Sequence, residues 1–176
     1  MHILIGLITA LAGLFWAFRA LQNSGFDINS LNPFNWYRRH EWAKKTSEKP
    51  LYALTQPMDI AAVYILGVAR LEGELSRESK QAILRIFKDE FKRSETQAQD
   101  LLASSSYLLR DDLDDLINAR KILEKSKGNF NKEQVDSTLD LVIKMSELES
   151  PTNEKQRAVI DKLTLSFKQI EEKSKW

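Results

Sequence analysis

Met58 to Leu71, MDIAAVYILGVARL, carries only two charged residues, Asp59 and Arg70, and they stand near its two ends. Wound as a helix, such a segment has no broad polar face and has to be enclosed by other parts of the chain. The fold that can do this is all-α: a bundle with this helix at its centre and amphipathic helices as its cover.

The rest of the body supplies those covering helices. No strand-type alternation follows Pro57, and helical spacing instead comes in blocks, each with a start signal. Ser76 is placed to cap Arg77–Phe91, whose Ile83, Ile86, Phe87 and Phe91 share a face. Ser94 with Gln97 forms a capping-box pattern for a helix over Glu95–Tyr107. Asp111–Lys127 reads as one helix ending at Gly128-Asn129. Asn131 with Gln134 caps the next block, and Asn153 starts a last helix carrying Ile160, Leu163, Phe167 and Ile170.

The body also resembles itself. LEGELSRESKQAI, residues 71–83, aligns with LESPTNEKQRAVI, residues 148–160, with Leu71/Leu148, Glu72/Glu149 and Ile83/Ile160 identical and both Ser76 and Asn153 at cap positions. Each half reads as an apolar helix, a short acidic turn and a capped amphipathic helix. The expectation is a bundle built from two weakly repeated helical hairpins.

Ahead of the body, Ile3 to Phe18 contains no charge and one polar residue, Thr9. Extended to Leu21 the run is about 28 Å long as a helix, close to the thickness of a bilayer core. A cleaved signal peptide is the rival reading. It lacks a charged leading segment and an A-x-A site, because Phe18 stands two residues before Ala20. A buried core helix is the other rival, but the run has no polar face. Arg19, Arg38, Arg39, Lys44 and Lys45 all follow the span, so the positive-inside rule puts the body in the cytoplasm and the N-terminus outside. Gly6, Ala10, Gly13, Ala17 and Ala20 line one face of the span with small residues, a pattern that lets two copies approach closely as a homodimer. Trp36, Tyr37, Arg38, Arg39 and Trp42 mix aromatics with cations and suit headgroup depth, with packing on protein as the alternative. The division of the chain is then an anchor at 1–22, a juxtamembrane tether at 23–57, a helical domain at 58–172 and a tail at 173–176.

Composition removes several functions. There is no cysteine, which excludes disulfides and thiolate sites, and the two histidines, His2 and His40, precede the body. A formal net charge of +1, without a basic-aromatic motif in the body or a phosphate loop, gives no ground for nucleic acid. The serines at 104–106 have no histidine in the body to activate them, so the expectation is a protein that is not an enzyme and carries no cofactor.

ARLEGELSRES, residues 69–79, resembles the TerB-like family of tellurite-resistance proteins. The closer likeness is to the membrane-anchored form at the N-terminus of DjlA-type co-chaperones. That pattern is a helix ending Ala-x-x-Asp-Gly, a small residue three further on, and a Glu seven after the Asp. Ala69, Gly73, Leu75 and Ser76 stand at matching places. The likeness covers roughly 58–172 for the domain and the whole chain for the layout. It implies a single-pass protein of a bacterial inner membrane with a cytoplasmic TerB-like domain, acting as an adaptor for an unidentified cytoplasmic or membrane protein, in envelope or metal stress. The departures are specific. The family Asp is Glu72 in one copy and Glu149 in the other, the Gly becomes Ser150 in the second, and the Glu falls on Ser79 and Gln156. No His-Pro-Asp tripeptide is present, so the J-domain activity is not carried over.

Two readings of the acidic turns stay open. One is a hard-cation site using Glu72, Glu74, Glu78, Glu149 and Glu154, which would make the chain a cation-binding stress protein. The other is a bend between packed helices, with Gly73 releasing the chain and the acids favouring the next helix start. Asp111, Asp112, Asp114 and Asp115 likewise fit a helix start or a metal site. Lys88, Lys92 and Arg93 read as a solvated helix end or a contact for lipid or an acidic partner.

Overall fold

The computed structural model describes residues 49–173, with side-chain surroundings through Ile170. The anchor, the small-residue stripe and the aromatic-basic segment lie outside the described residues. Among the described residues, no helix is long and apolar enough to cross a membrane.

The described region is an all-α bundle. A 3-10 turn, η1 (Pro50–Ala53), leads into α1 (Pro57–Arg70), α2 (Arg77–Asp89) and α3 (Glu95–Leu108). A second 3-10 turn, η2 (Leu113–Ile117), is followed by α4 (Ala119–Leu123), α5 (Lys132–Ser146) and α6 (Glu154–Lys173). Helix α1 is central. Every residue from Ile60 to Ala69 is buried, and α1 packs chiefly against α3 and α5. Ile83 and Phe87 of α2, Leu101 and Leu102 of α3, Leu141 and Val142 of α5, and Leu163 and Phe167 of α6 complete one core. Each large apolar side chain so buried contributes about 1.5–3 kcal/mol.

The start signals act as the sequence pattern requires. Ser76 Oγ accepts from the Ser79 N–H, while Ser94/Gln97 and Asn131/Gln134 close full capping boxes. Asn153 and Gln156 exchange the same pair of bonds at the head of α6, each at 2.9 Å. The helices after the two acidic turns begin at Arg77 and Glu154, in the register of the 77-residue repeat.

Three expectations need correction. Helix α2 stops at Asp89 rather than Phe91, because Lys92 takes a left-handed conformation (φ 53°) and the Arg93 N–H reaches the Phe87 carbonyl at 3.2 Å. The tether read up to Pro57 already contributes to the core, since Leu51, Tyr52 and Leu54 of the η1 segment are buried. The single helix expected over Asp111–Lys127 is broken into η2 and α4 around Asn118 (φ −85°, ψ 43°).

That break has a cause in the core. In a continuous α-helix the Leu116 carbonyl would accept from the Arg120 N–H. Here it accepts from the hydroxyl of Tyr64, fully buried on α1, at 3.2 Å. The Leu116 side chain is also fully buried and lies over Gly67, where an added Cβ would sit 2.2 Å from its Cδ1. Lys49 also binds Asp112 (2.7 Å) and Asp115 of the same turn. Three anchors on one turn override the local preference for a longer helix.

Gly67→Ala is therefore expected to lower unfolding free energy by about 1–3 kcal/mol, through overpacking that outweighs the better helix propensity of alanine. In a denaturation double-mutant cycle with Leu116→Ala, the two losses should sum to more than the loss in the double mutant.

Candidate functional site

The two acidic turns, 71–76 and 147–153, are brought together and bound reciprocally. Glu149, in the second turn, accepts hydrogen bonds from the hydroxyls of both Ser76 and Ser79. Glu72, in the first turn, accepts one from Ser150. The two carboxylates stand at matching positions of the repeat, but their donors do not: Glu149 is held from the head of α2 and Glu72 from Ser150, the counterpart of Gly73. The hydroxyls of Ser76 and Ser79 hold the Glu149 carboxyl below the usual glutamate range, since donors that favour the charged form lower a pKa.

Local structure positions each partner. Gly73 lets the first turn leave α1, with φ at 150°, a region closed to most side chains. Its counterpart Ser150 is not among the positive-φ residues and provides a hydroxyl instead. Ser76 has a double role. Its oxygen caps α2 by accepting from the Ser79 N–H at 2.9 Å, and its hydroxyl proton goes to Glu149. Gln156 is fully buried and reaches across the pair, donating from Nε2 to the Val68 carbonyl at 2.9 Å. It thereby satisfies one of the last carbonyls of α1, which a helix end leaves without an internal partner.

The sequence-based candidates divide accordingly. Glu72 and Glu149 belong to the turn pair and are engaged by serine hydroxyls. Glu74, Glu78 and Glu154 are exposed. Among the described residues, no group of three His, Asp or Glu side chains could hold a metal ion. Asp112 and Asp115 bind Lys49, whose ammonium is pushed up by its bonds to Asp112 and then Asp115. The Asp115 carboxyl is held low chiefly by Lys49. Lys88 of α2 pairs with Glu95 of α3 at 2.7 Å, and Arg93, in the turn between them, lies against the Met58 sulfur of α1 at 3.2 Å. The Ser104 and Ser106 hydroxyls donate to the Leu101 and Leu102 carbonyls of their own helix, at 2.9 and 2.8 Å.

Sequence reasoning treated Ser79 and Gln156 only as lost carboxylates. Their offset of 77 residues was the available signal, though their partners differ, the Glu149 carboxylate for Ser79 and the Val68 carbonyl for Gln156. No protein-family model, curated protein or solved structure matches the chain.

Two outcomes test the turn pair. A carboxyl held low in the folded state stabilises fully above its unfolded pKa of about 4.3, and the gain is lost as pH falls through the folded value. Thermal melts should show the wild type losing stability more steeply than Glu149→Gln between about pH 5 and pH 3. Gln156→Ala, which leaves the Val68 carbonyl without its donor, should cost about 1–3 kcal/mol in chemical denaturation at neutral pH.

Proposed function

We propose that this chain is a non-enzymatic, single-pass adaptor. It is anchored in a bacterial inner membrane by Ile3–Leu21 and presents a TerB-like helical domain to a protein partner in the cytoplasm. The observation that carries the adaptor reading is the turn pair, in which the serine hydroxyls engage the carboxylates of Glu72 and Glu149. Those two acids hold the two hairpins to each other, so the motif serves to fix the shape of the domain. A pre-organised surface lowers the cost of binding a partner, which suits an adaptor.

The membrane part of the proposal is supported by the charge-free run and by the cations that follow it. Homodimerisation through Gly6, Ala10, Gly13, Ala17 and Ala20 would double the number of presented domains and raise avidity for a multivalent partner.

Reporter fusions at the two ends, active only on one side of the inner membrane, are expected to place the N-terminus outside and the C-terminus in the cytoplasm. Removing residues 1–22 should release the chain to the soluble fraction, and Gly6→Leu with Gly13→Leu should weaken crosslinking between copies. A C-terminus found outside, or a truncated chain that stays with the membrane, would overturn the proposal.

A further inference from the structure

Helices α4 and α6 leave an open groove of about 570 Å³ between them, on a part of the bundle formed without the acidic turns. Leu165 lies in it and is 51% exposed, more than any other large apolar side chain among the described residues. Ile117, exposed as well, lies on the facing side. Leu165 is flanked on α6 by Lys162 and Gln169, at helical steps of three and four, which gives the groove a continuous stripe. A second hollow of about 290 Å³ shares Arg120 and Gln169 with the first and runs on to Lys127 and Ile170.

The charge around Leu165 and Ile117 is one-sided. Arg120, Lys121, Lys127 and Lys162 line the two hollows, against the carboxylate of Glu124. Lys127 bonds Glu124 at 2.6 Å, and Lys121 lies over the Tyr52 ring at 4.2 Å. Among the described residues, Arg120 and Lys162 form no ion pair. A chain whose overall charge is only +1 thus concentrates cations beside exposed apolar side chains.

We infer that the α4–α6 groove is a docking site for an acidic amphipathic helix of a partner protein. Its apolar stripe lies along Leu165 and Ile117, and its carboxylates meet Arg120 and Lys162. The stripe from Lys162 to Ile170 is about 12 Å long, which matches about two turns of a partner helix and so apolar anchors at i, i+4 and i+7. An anionic bilayer offers the same charge, but a flat surface meets the rim cations and not side chains set within a groove. The assignment rests on the adaptor reading and supplies the chemistry of its partner.

The test uses the full chain in nanodiscs of zwitterionic lipid and a labelled synthetic helix with leucines at i, i+4 and i+7 flanked by glutamates. Fluorescence anisotropy should show saturable binding. A version with every Glu replaced by Lys should bind at least about tenfold more weakly. Leu165→Asp, and Arg120→Glu with Lys162→Glu, should each weaken the acidic peptide at least about tenfold, while Ile143→Asp, at an exposed apolar residue of α5 outside the groove, should not. Circular dichroism of each variant checks that the fold is intact. Equal binding of the acidic and basic peptides, or indifference to both groove variants, would overturn the inference. So would groove variants that abolish binding to anionic vesicles and leave the peptide untouched. Any of these results with the C-terminus cytoplasmic removes the groove and leaves the adaptor reading standing. A C-terminus outside removes the adaptor reading whatever the peptide does.

Discussion

Ile60 to Ala69 form a continuous buried stretch of α1, and the other helices are arranged by the need to cover it. A helix buried all round has no preferred face to offer, so its neighbours are selected by fit. Gly67 is where this becomes most exacting, because the absence of a side chain there creates the space that Leu116 fills. The fit then dictates backbone conformation elsewhere. With Leu116 in place and its carbonyl bonded to Tyr64, η2 does not continue as an α-helix into α4. Packing against one helix thus sets the path of a segment about fifty residues away in sequence.

Covering α1 also brings the ends of the two hairpins together. Helix α1 and helix α5 pack closely, and the turns that follow them meet at the same end of the bundle. Side chains there can bond across the hairpins, and they do so in both directions. Glu149 reaches the head of α2, and Glu72 takes the hydroxyl of Ser150 just before α6. These bonds are exposed or only partly buried, so each is individually modest. Their value is geometric: together with Gln156 they fix how one hairpin sits on the other.

What could be read from the sequence was what is local. Helix starts at Ser76, Ser94, Asn131 and Asn153 follow from a side-chain oxygen three residues before a waiting N–H, a relation contained within one turn. The burial of α1 follows from its lack of a polar face. The fate of Asp111–Lys127 could not be read that way. Its four aspartates, apolar spacing and Gly-Asn stop all favour one helix, and the deciding contacts come from Tyr64, Gly67 and Lys49. The partners of Glu72 and Glu149 were hidden for the same reason, although the repeat had already placed them at equivalent positions. The α4–α6 groove depends on two segments meeting, one of which was expected to have a different shape.

The residues seven positions after Glu72 and Glu149, Ser79 and Gln156, can be understood chemically. At position 79 in this chain, a glutamate would stand beside Glu149, and two carboxylates without a cation repel each other. Serine supplies a donor to that same oxygen and is small enough to be buried beneath the turn. At position 156 a carboxylate would face the Val68 carbonyl, acceptor against acceptor, in a fully buried place where an unpaired charge is costly. Glutamine keeps the length and the oxygen that caps α6, and adds the donor that Val68 needs. In both copies the residue at this position makes a bond between the hairpins. Ser79 and Gln156 thus tie the turns into the packing of one hairpin on the other, a use that glutamate at either position could not serve.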